Sequence, residues 1–344
     1  MNKTFPTTRG TTRAMTAHGA LPRLRFEESG PAGASGDFAT GVRAGLTASP
    51  KYLPSRYLYD EIGSALYDAI VLLPEYYLTA AESEILERYA DEIVACAGSA
   101  EIAELGPGNG RKTRILLEAA LRRHARVHYR PIDISRDALA RLSQQLVSEY
   151  DRLSVSAYSG DYAHALRSYA LRGSDRMLLL FLGSSIGNYR PHEAVALMRT
   201  IAAALRPGDS VLLGTDLKKS REQLELAYDD PGGVTAAFNR NVLARINREL
   251  GADLDLRAFR FAVHYDEARG CVDSFQESIV EQRVHVPALD LDVVFARDER
   301  ILTESSYKYD EADLRDLASA SGFNASAAWS DAARRFLVTL LVVR

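Results

Sequence analysis

The sequence predicts an α/β fold in which a mostly parallel sheet is wrapped by helices and interrupted by one large insertion. Three observations carry this expectation: a strand, glycine turn and helix unit at 101–123, an alternation of strand and helix patterns up to residue 216, and the loss of that alternation from 217 to 308 before it resumes.

The unit opens with Glu101 to Leu105, a strand-like run that carries Glu104 near its end and breaks into Gly106-Pro107-Gly108-Asn109-Gly110. Glycine lacks Cβ and tolerates positive φ, so a tight turn and the close approach of a small polar ligand both become possible where a strand hands over to a helix. Lys112 to Arg123 reads as that helix, with Leu116, Leu117 and Ala120 at helical spacing. Strands at Val127 to Asp133 and Leu153 to Tyr158 then alternate with helices at Arg136 to Val147 and Tyr162 to Leu171. Met177 to Leu182 is continuously apolar, as a central strand buried on both faces should be. Pro191 to Leu205 has helical spacing, and Ser210 to Gly214 forms the next strand. Ligands of such sheets sit at the carboxyl ends of strands, which here carry Glu104, Asp133, Asp161, the turn from Gly183 to Asn188, and Asp216.

Past Asp216 the pattern gives helices at Ser220 to Ala227 and Thr235 to Leu250, then β-rich segments from Phe259 to Val286. Asp310 to Ser319 restores a helix, and Ala325 to Trp329 with Arg335 to Val343 supplies two final strands. The first 36 residues are rich in Thr, Arg and Gly, lack an apolar targeting core, and read as a disordered extension.

Composition excludes several functions. With 344 residues, 47% hydrophobic, 26% charged and a formal charge of −4, the chain is ordinarily globular and has no global attraction for nucleic acid. Cys96 and Cys271 cannot form a metal-ligand cluster or a disulfide scaffold, so no metal is expected and a reducing cytoplasm is the expected setting. No apolar run is long enough to span a membrane, and a monomer acting on a small molecule is expected.

The spacing of the turn separates two nucleotide chemistries. A dinucleotide fingerprint requires G-x-G-x-x-G, but Gly106, Gly108 and Gly110 follow G-x-G-x-G and Arg111 stands where the third glycine would fall. The acidic residue beside E-x-G-x-G-x-G resembles motif I of the class I S-adenosylmethionine methyltransferases, and Asp133 ends the next strand where a carboxylate can hold a ribose diol. Both cofactors use such an acid, so Asp133 supports an adenosine ligand more than it names one.

A wider set of segments resembles one family, the histidine-specific N-alpha-methyltransferases of ergothioneine biosynthesis. The resemblance spans residues 36 to 344. It rests on Arg56-Tyr57-Leu58-Tyr59-Asp60 with Gly63-Ser64, Leu73-Pro74-Glu75-Tyr76-Tyr77-Leu78-Thr79, and Glu104-Leu105-Gly106 with Lys112-Thr113. These are joined by Pro131 to Ser135, Gly160-Asp161-Tyr162, Phe181 to Asn188, Gly233 to Asn239 and Leu302 to Lys308. The resemblance implies a Rossmann-like seven-stranded sheet whose last strand inserts antiparallel, and a second, substrate-binding domain formed by the N-terminal region and the insertion. The expected division is 1–36 as extension, 37–85 as the helical part of the substrate domain, 86–216 as methyltransferase core, 217–308 as the inserted part, and 309–344 as the end of the core.

By motif, the resemblance implies that Tyr59, Gly106, Lys112, Asp133, Asp161 and Tyr162 contact S-adenosyl-L-methionine. Asp133 can accept from the ribose hydroxyls, Asp161 from the adenine amine, Tyr162 offers a flat apolar neighbour, and Lys112 can meet a carboxylate as a point charge. For L-histidine, it implies Asn188 and Tyr228 on the α-carboxylate, Gly183 and Ser185 near the amine, and Tyr76, Glu304 and Ser306 around the imidazole, with Asn188, Tyr228 and Tyr76 as catalytic candidates. A carboxylate such as Glu304 can accept an imidazole N–H, while Ser306 can donate or accept at the other nitrogen. Taken singly, each of these residues reads as well as a solvated charge or a core aromatic. Two departures from the family stand out: Ser274 occupies a position commonly held by methionine, which should enlarge or re-wet the pocket toward bulkier substrates, and Leu78 replaces a proline. Tryptophan is the rival substrate within the class, and an NAD-dependent oxidoreductase the rival outside it.

Overall fold

The computed structural model describes residues 23–28, 34–168 and 176–344. Before the glycine turn lie β1 (Leu24–Glu28), α1 (Ala34–Thr47), β2 (Lys51–Tyr52), α2 (Glu61–Ile70) and α3 (Tyr77–Ala97). The turn is entered from β3 (Glu101–Leu105) and left by α4 (Arg111–Arg123). Alternation continues through β4 (Val127–Asp133), α5 (Arg136–Glu149), β5 (Leu153–Ser159), α6 (Tyr162–Ser168), β6 (Met177–Phe181), α7 (Pro191–Ala204) and β7 (Ser210–Asp216). The insertion holds α8 (Arg221–Tyr228), α9 (Val234–Leu250), β8 (Phe259–Asp266), β9 (Cys271–Ser278), β10 (Gln282–Val286), β11 (Leu291–Phe295) and β12 (Arg300–Tyr307). The chain closes with α10 (Glu311–Ala320), β13 (Phe323–Ser330) and β14 (Phe336–Val343).

The main sheet has eight strands in the order β1-β5-β4-β3-β6-β7-β14-β13. β14 lies antiparallel between β7 and β13, as expected of a class I methyltransferase, while β3 to β7 pair in parallel. Every residue of β6 and β7 is buried, which is the burial a continuous apolar run demands when helices cover both faces.

The eighth strand corrects the sequence reading of the first 36 residues. Leu24–Glu28 pairs in parallel with β5, from Leu24 opposite Val155 to Glu28 opposite Ser159. The edge of β5 offers unpaired backbone groups, and Leu24 and Phe26, two residues apart, pack onto the core. One apolar pair amid charges was too short a pattern to read as a strand. Residues 1–22 and 29–33 of that expected extension lie outside the described residues.

A second sheet, β2-β12-β9-β8, takes β2 from the N-terminal region and its other strands from the insertion. β2 runs parallel to β12, with Lys51 opposite Ile301 and Tyr52 opposite Leu302. α2 packs on α9 beside this sheet. The expected boundary at residue 85 falls inside α3, a 21-residue helix that packs against α4 and β14. A continuous helix has no hinge there, so α3 goes with the main sheet. Leu78, in place of a proline, sits in the first turn of α3, where an N–H has no helical partner, and its side chain is buried.

Candidate active site

The carboxyl ends of β3, β4 and β5 form one side of the site. Gly106 has φ 68°, and a Cβ there would lie 2.4 Å from the Tyr162 hydroxyl, so the turn and the first residue of α6 meet only because residue 106 lacks a side chain. Nothing lies within 4 Å of a Cβ built on Gly108, leaving open space over the turn. Asp133 is half-buried at the end of β4 and accepts from the Ser135 N–H at 2.8 Å. Burial raises its pKa against the opposing help of the Ser135 and Ile134 N–H groups. Asp161 caps the start of α6, accepting from the His164 N–H at 2.8 Å. A glycine cradle with open space above it, flanked by two carboxylates, fits an adenosine-bearing ligand.

Glu104, behind the turn, does not face that space. It is buried, accepting from Thr113 Oγ1 at 2.7 Å and Tyr129 Oη at 2.5 Å, and burial pushes its pKa up to about 7 despite those donors. It ties β3 to α4 and β4.

The turn after β6 supplies the other side. Gly183 and Ser184 both adopt left-handed backbone, φ 75° and 57°. Such a conformation costs a serine roughly 1 kcal/mol or more, and here the Ser184 Oγ accepts from the Asp216 N–H at 3.0 Å, pinning the turn to the end of β7. The Gly183 N–H donates to both carboxylate oxygens of Glu82 at 2.9 Å. Glu82 is fully buried on α3 and also pairs with Lys112. Burial alone would lower the Lys112 pKa, but Glu82, Tyr67 and Glu104 together outweigh it and the net shift is upward. Sequence reasoning named Lys112 and Gly183 and missed the carboxylate that joins them; a single Glu within a helix has no distinguishing pattern.

Between this turn and the second sheet lies a cleft partly open to solvent. Tyr59, Tyr76, Gly183, Ser185, Asn188, Tyr228, Glu304 and Ser306 line it, all of them singled out from the sequence. Tyr67, Ile70, Ser184, Thr235 and Phe238 also line it and were not foreseen. Aromatic rings build much of the wall: Tyr59 meets Tyr67 and Phe238 edge-on at 5.5 and 5.3 Å between centroids, and Tyr76 meets Tyr228 at 6.1 Å. The apolar spacing of Phe238 on α9 was visible, but a core role explained it equally well.

Glu304 lies within β12, not near a strand end, at a register irregularity between Leu302 and Glu304. The irregularity re-aims the strand at the cleft. Burial raises the Glu304 pKa to about 7, with Lys308 pulling the other way. Ser274 sits opposite Glu304 on β9, is buried, and does not line the cleft. Its Oγ has no hydrogen-bond partner among the described residues, and as the cross-strand neighbour of Glu304 it stands beside that residue on the same face of the sheet.

Beneath the cleft floor, Asp216 gathers a buried cluster. Lys308 Nζ lies 2.9 Å from Asp216 Oδ2, Lys219 Nζ 2.6 Å from Oδ1, and Tyr77 Oη 2.9 Å from both oxygens. Burial lowers the Lys219 pKa to about 8 against the pull of Asp216. Burial would also lower that of Lys308, but Asp216 and Tyr228 raise it overall. Neither lysine was foreseen, although Lys308 ends a segment quoted for the family resemblance.

The raised carboxyl pKa of Glu304 has a stability consequence of definite sign. A folded pKa near 7 against 4.5 contributes stability that is present below 4.5 and lost as pH rises through 7. Glu304→Gln should therefore match the wild type at about pH 4 and exceed its urea midpoint at about pH 8. An equal gap at both pH values would exclude the raised pKa.

Comparison with known proteins gives a family match over most of the chain. The model of a family described as histidine-specific, SAM-dependent methyltransferase matches residues 38–343. A histidine N-alpha-methyltransferase of Mycolicibacterium smegmatis is 42% identical over 301 residues, covering 88% of this chain and 93% of that protein. Ergothioneine biosynthesis protein 1 of Schizosaccharomyces pombe is 32% identical over 79% of this chain, which corresponds to 36% of that longer protein. An L-tryptophan methyltransferase of Psilocybe serbica is 28% identical over 87% of this chain and 91% of its own length.

Proposed function

The chain belongs to the histidine-specific, S-adenosylmethionine-dependent methyltransferases, and from that premise we propose that it methylates the α-amino nitrogen of L-histidine, through to the N-alpha-trimethylated product used for ergothioneine biosynthesis. The observation that supports this most is the convergence of Tyr76, Asn188, Tyr228, Glu304 and Ser306 on one cleft beside the glycine turn.

When bound, S-adenosylmethionine supplies an electrophilic methyl group on a sulfonium. Asp133 would hold the ribose, Asp161 and Tyr162 the adenine, and Lys112 the carboxylate, with Gly106 and Tyr59 beside them. Asn188 and Tyr228 orient the histidine carboxylate, and the Gly183 and Ser185 turn sits against the amine. Tyr76, Glu304 and Ser306 hold the imidazole. The nucleophile must be the neutral amine, and a cleft walled by Tyr59, Tyr67, Tyr76 and Phe238 favours that form because low dielectric disfavours the ammonium. Positioning and exclusion of water then supply most of the rate. The open side of the cleft gives the proton a route to solvent, and among the described residues that line it Glu304 is the one carboxylate that could take it instead.

Glu304 favours histidine over tryptophan, since an indole presents one N–H and no ring lone pair to the Glu304 and Ser306 pair. The cofactor side separates a methyltransferase from an NAD enzyme. S-adenosylhomocysteine should raise the thermal midpoint and NAD should leave it unchanged. Asp133→Ala should weaken S-adenosylhomocysteine binding by about tenfold or more, the cost of a charge-assisted hydrogen bond. Undiminished binding in that variant would remove Asp133 from the cofactor site.

A further inference from the structure

Lys308 is completely buried next to the cleft, and its donors are fully engaged. Its Nζ lies 2.7 Å from Tyr228 Oη, 2.9 Å from Ser306 Oγ and 2.9 Å from Asp216 Oδ2. An ammonium has three N–H donors and no acceptor, so both hydroxyl oxygens receive a proton from it. Those two oxygens are themselves 2.8 Å apart. The pair owns two protons, and at most one can lie between them. A phenol oxygen delocalises a lone pair into its ring, so once Tyr228 accepts from Lys308 it is a poor second acceptor and donates to Ser306 instead. Ser306 then has both lone pairs filled, and its own proton has the cleft to turn to. If a ligand carboxylate takes the Tyr228 proton, the Tyr228 oxygen still accepts from Lys308 and stays a poor acceptor for Ser306, so the Ser306 proton remains turned to the cleft. Across the cleft, an ionised Glu304 can only accept.

Building on the histidine reading, we propose that Lys308 is a positioning residue that makes the Tyr228 and Ser306 hydroxyls a donor surface, so that the cleft takes its heterocycle as a neutral ring with a lone pair toward Ser306 and an N–H toward Glu304. An imidazolium, which has no lone pair, is refused by Ser306 and repelled by the ammonium behind it. Benzene-ring and indole side chains lack the lone pair altogether. Lys308 thereby sets the protonation state of the substrate ring without touching it.

The ionisable groups facing this cluster include Asp216 on β7, Lys219 just beyond it, Tyr76 and Tyr77 at the start of α3, Tyr228 on α8, Tyr265 on β8, Cys271 on β9, Glu304 on β12 and Tyr309 just after it, and burial raises the pKa of Tyr76, Tyr265 and Tyr309. Burial raises the pKa of Tyr77, Tyr228 and Cys271, and Lys219 titrates at about 8. Glu304, at about 7, coincides with the ring and has to be silenced. The test therefore uses Glu304→Gln protein saturated with S-adenosylhomocysteine and, as probe, N-alpha-trimethylhistidine, whose quaternary ammonium cannot titrate. Calorimetric Kd should be level above the ring pKa and weaken about tenfold per pH unit below it, down to about pH 5. Adding Lys308→Met should flatten that dependence to within about threefold, because Ser306 regains a lone pair that can accept from the imidazolium. A level Kd in the parent protein, or an unchanged slope in the Lys308→Met protein, overturns the proposal. Should Lys308→Met fail to fold, Lys308→Met with Asp216→Asn and Lys219→Met removes both cations together with the carboxylate they share and carries the same expectation. Absence of probe binding to the wild-type protein at every pH overturns the histidine reading itself, which separates its failure from that of the Lys308 role.

Discussion

Glu304→Ala should lower kcat/KM for histidine by at least about a hundredfold, the loss expected when a site built to hydrogen-bond a substrate N–H is deprived of its acceptor. Three features make the effect large. The carboxyl is desolvated enough to have its pKa raised to about 7, so its hydrogen bonds form in a medium that strengthens them. Its place at the β12 irregularity opposite Ser274 fixes its direction. The groups around it, Tyr59, Tyr76, Tyr228 and Phe238, are aromatic and offer no substitute carboxylate. Alanine leaves the ring N–H without a partner and opens space beside it, so discrimination against tryptophan should shrink in the same variant. Glu304→Gln keeps an acceptor oxygen and should fall between the two proteins. Steady-state turnover on histidine and tryptophan measures this directly, and histidine turnover unaffected by Glu304→Ala would remove the assigned role.

The second large effect concerns stability. Asp216→Ala should cost about 3–5 kcal/mol, because removing one partner of a buried ion pair strands the other charge in low dielectric. Here two cations share the one carboxylate: Lys308 at 2.9 Å, fully buried, and Lys219 at 2.6 Å, partly buried, with the Tyr77 hydroxyl also donating to it. The Lys308 ammonium cannot reach solvent without displacing the cleft floor. Lys219, with its pKa already lowered to about 8 and lowered further once Asp216 is gone, should respond by losing its proton, so its share of the penalty should lessen as pH rises toward 8. Urea unfolding of wild type and variant on either side of that pH checks both the size and the trend. A change under about 1 kcal/mol would mean that the cluster is solvated and structurally incidental.

What could be read from the sequence follows the periodicity of each element. β4 and β5 alternate or run apolar between clear breaks, and their observed spans, Val127–Asp133 and Leu153–Ser159, differ little from expectation. β1 was missed because only Leu24 and Phe26 mark it, and β12 because its register slip disrupts the alternation that would reveal it. The glycine turn suggested a nucleotide, whereas the cleft could be anticipated only through a resemblance assembled from distant segments. Supporting residues were the least legible. Glu82 meets Lys112 30 residues away and Asp216 meets Tyr77 139 residues away, and no local spacing encodes such a meeting. Ser274 was legible as a departure from a family pattern, yet the structure sets it across the strand pair from Glu304, buried and outside the residues that line the cleft.

Donor, acceptor and methyl count meet in one measurement: the mass of the product formed when the purified chain is incubated with S-adenosylmethionine and L-histidine. The expected product is histidine carrying three additional methyl groups on its α-nitrogen, formed in the wild type and suppressed by Glu304→Ala. Methylated tryptophan in preference to histidine, methylation on a ring nitrogen, or no methylated amino acid from a protein that binds S-adenosylhomocysteine would contradict the account.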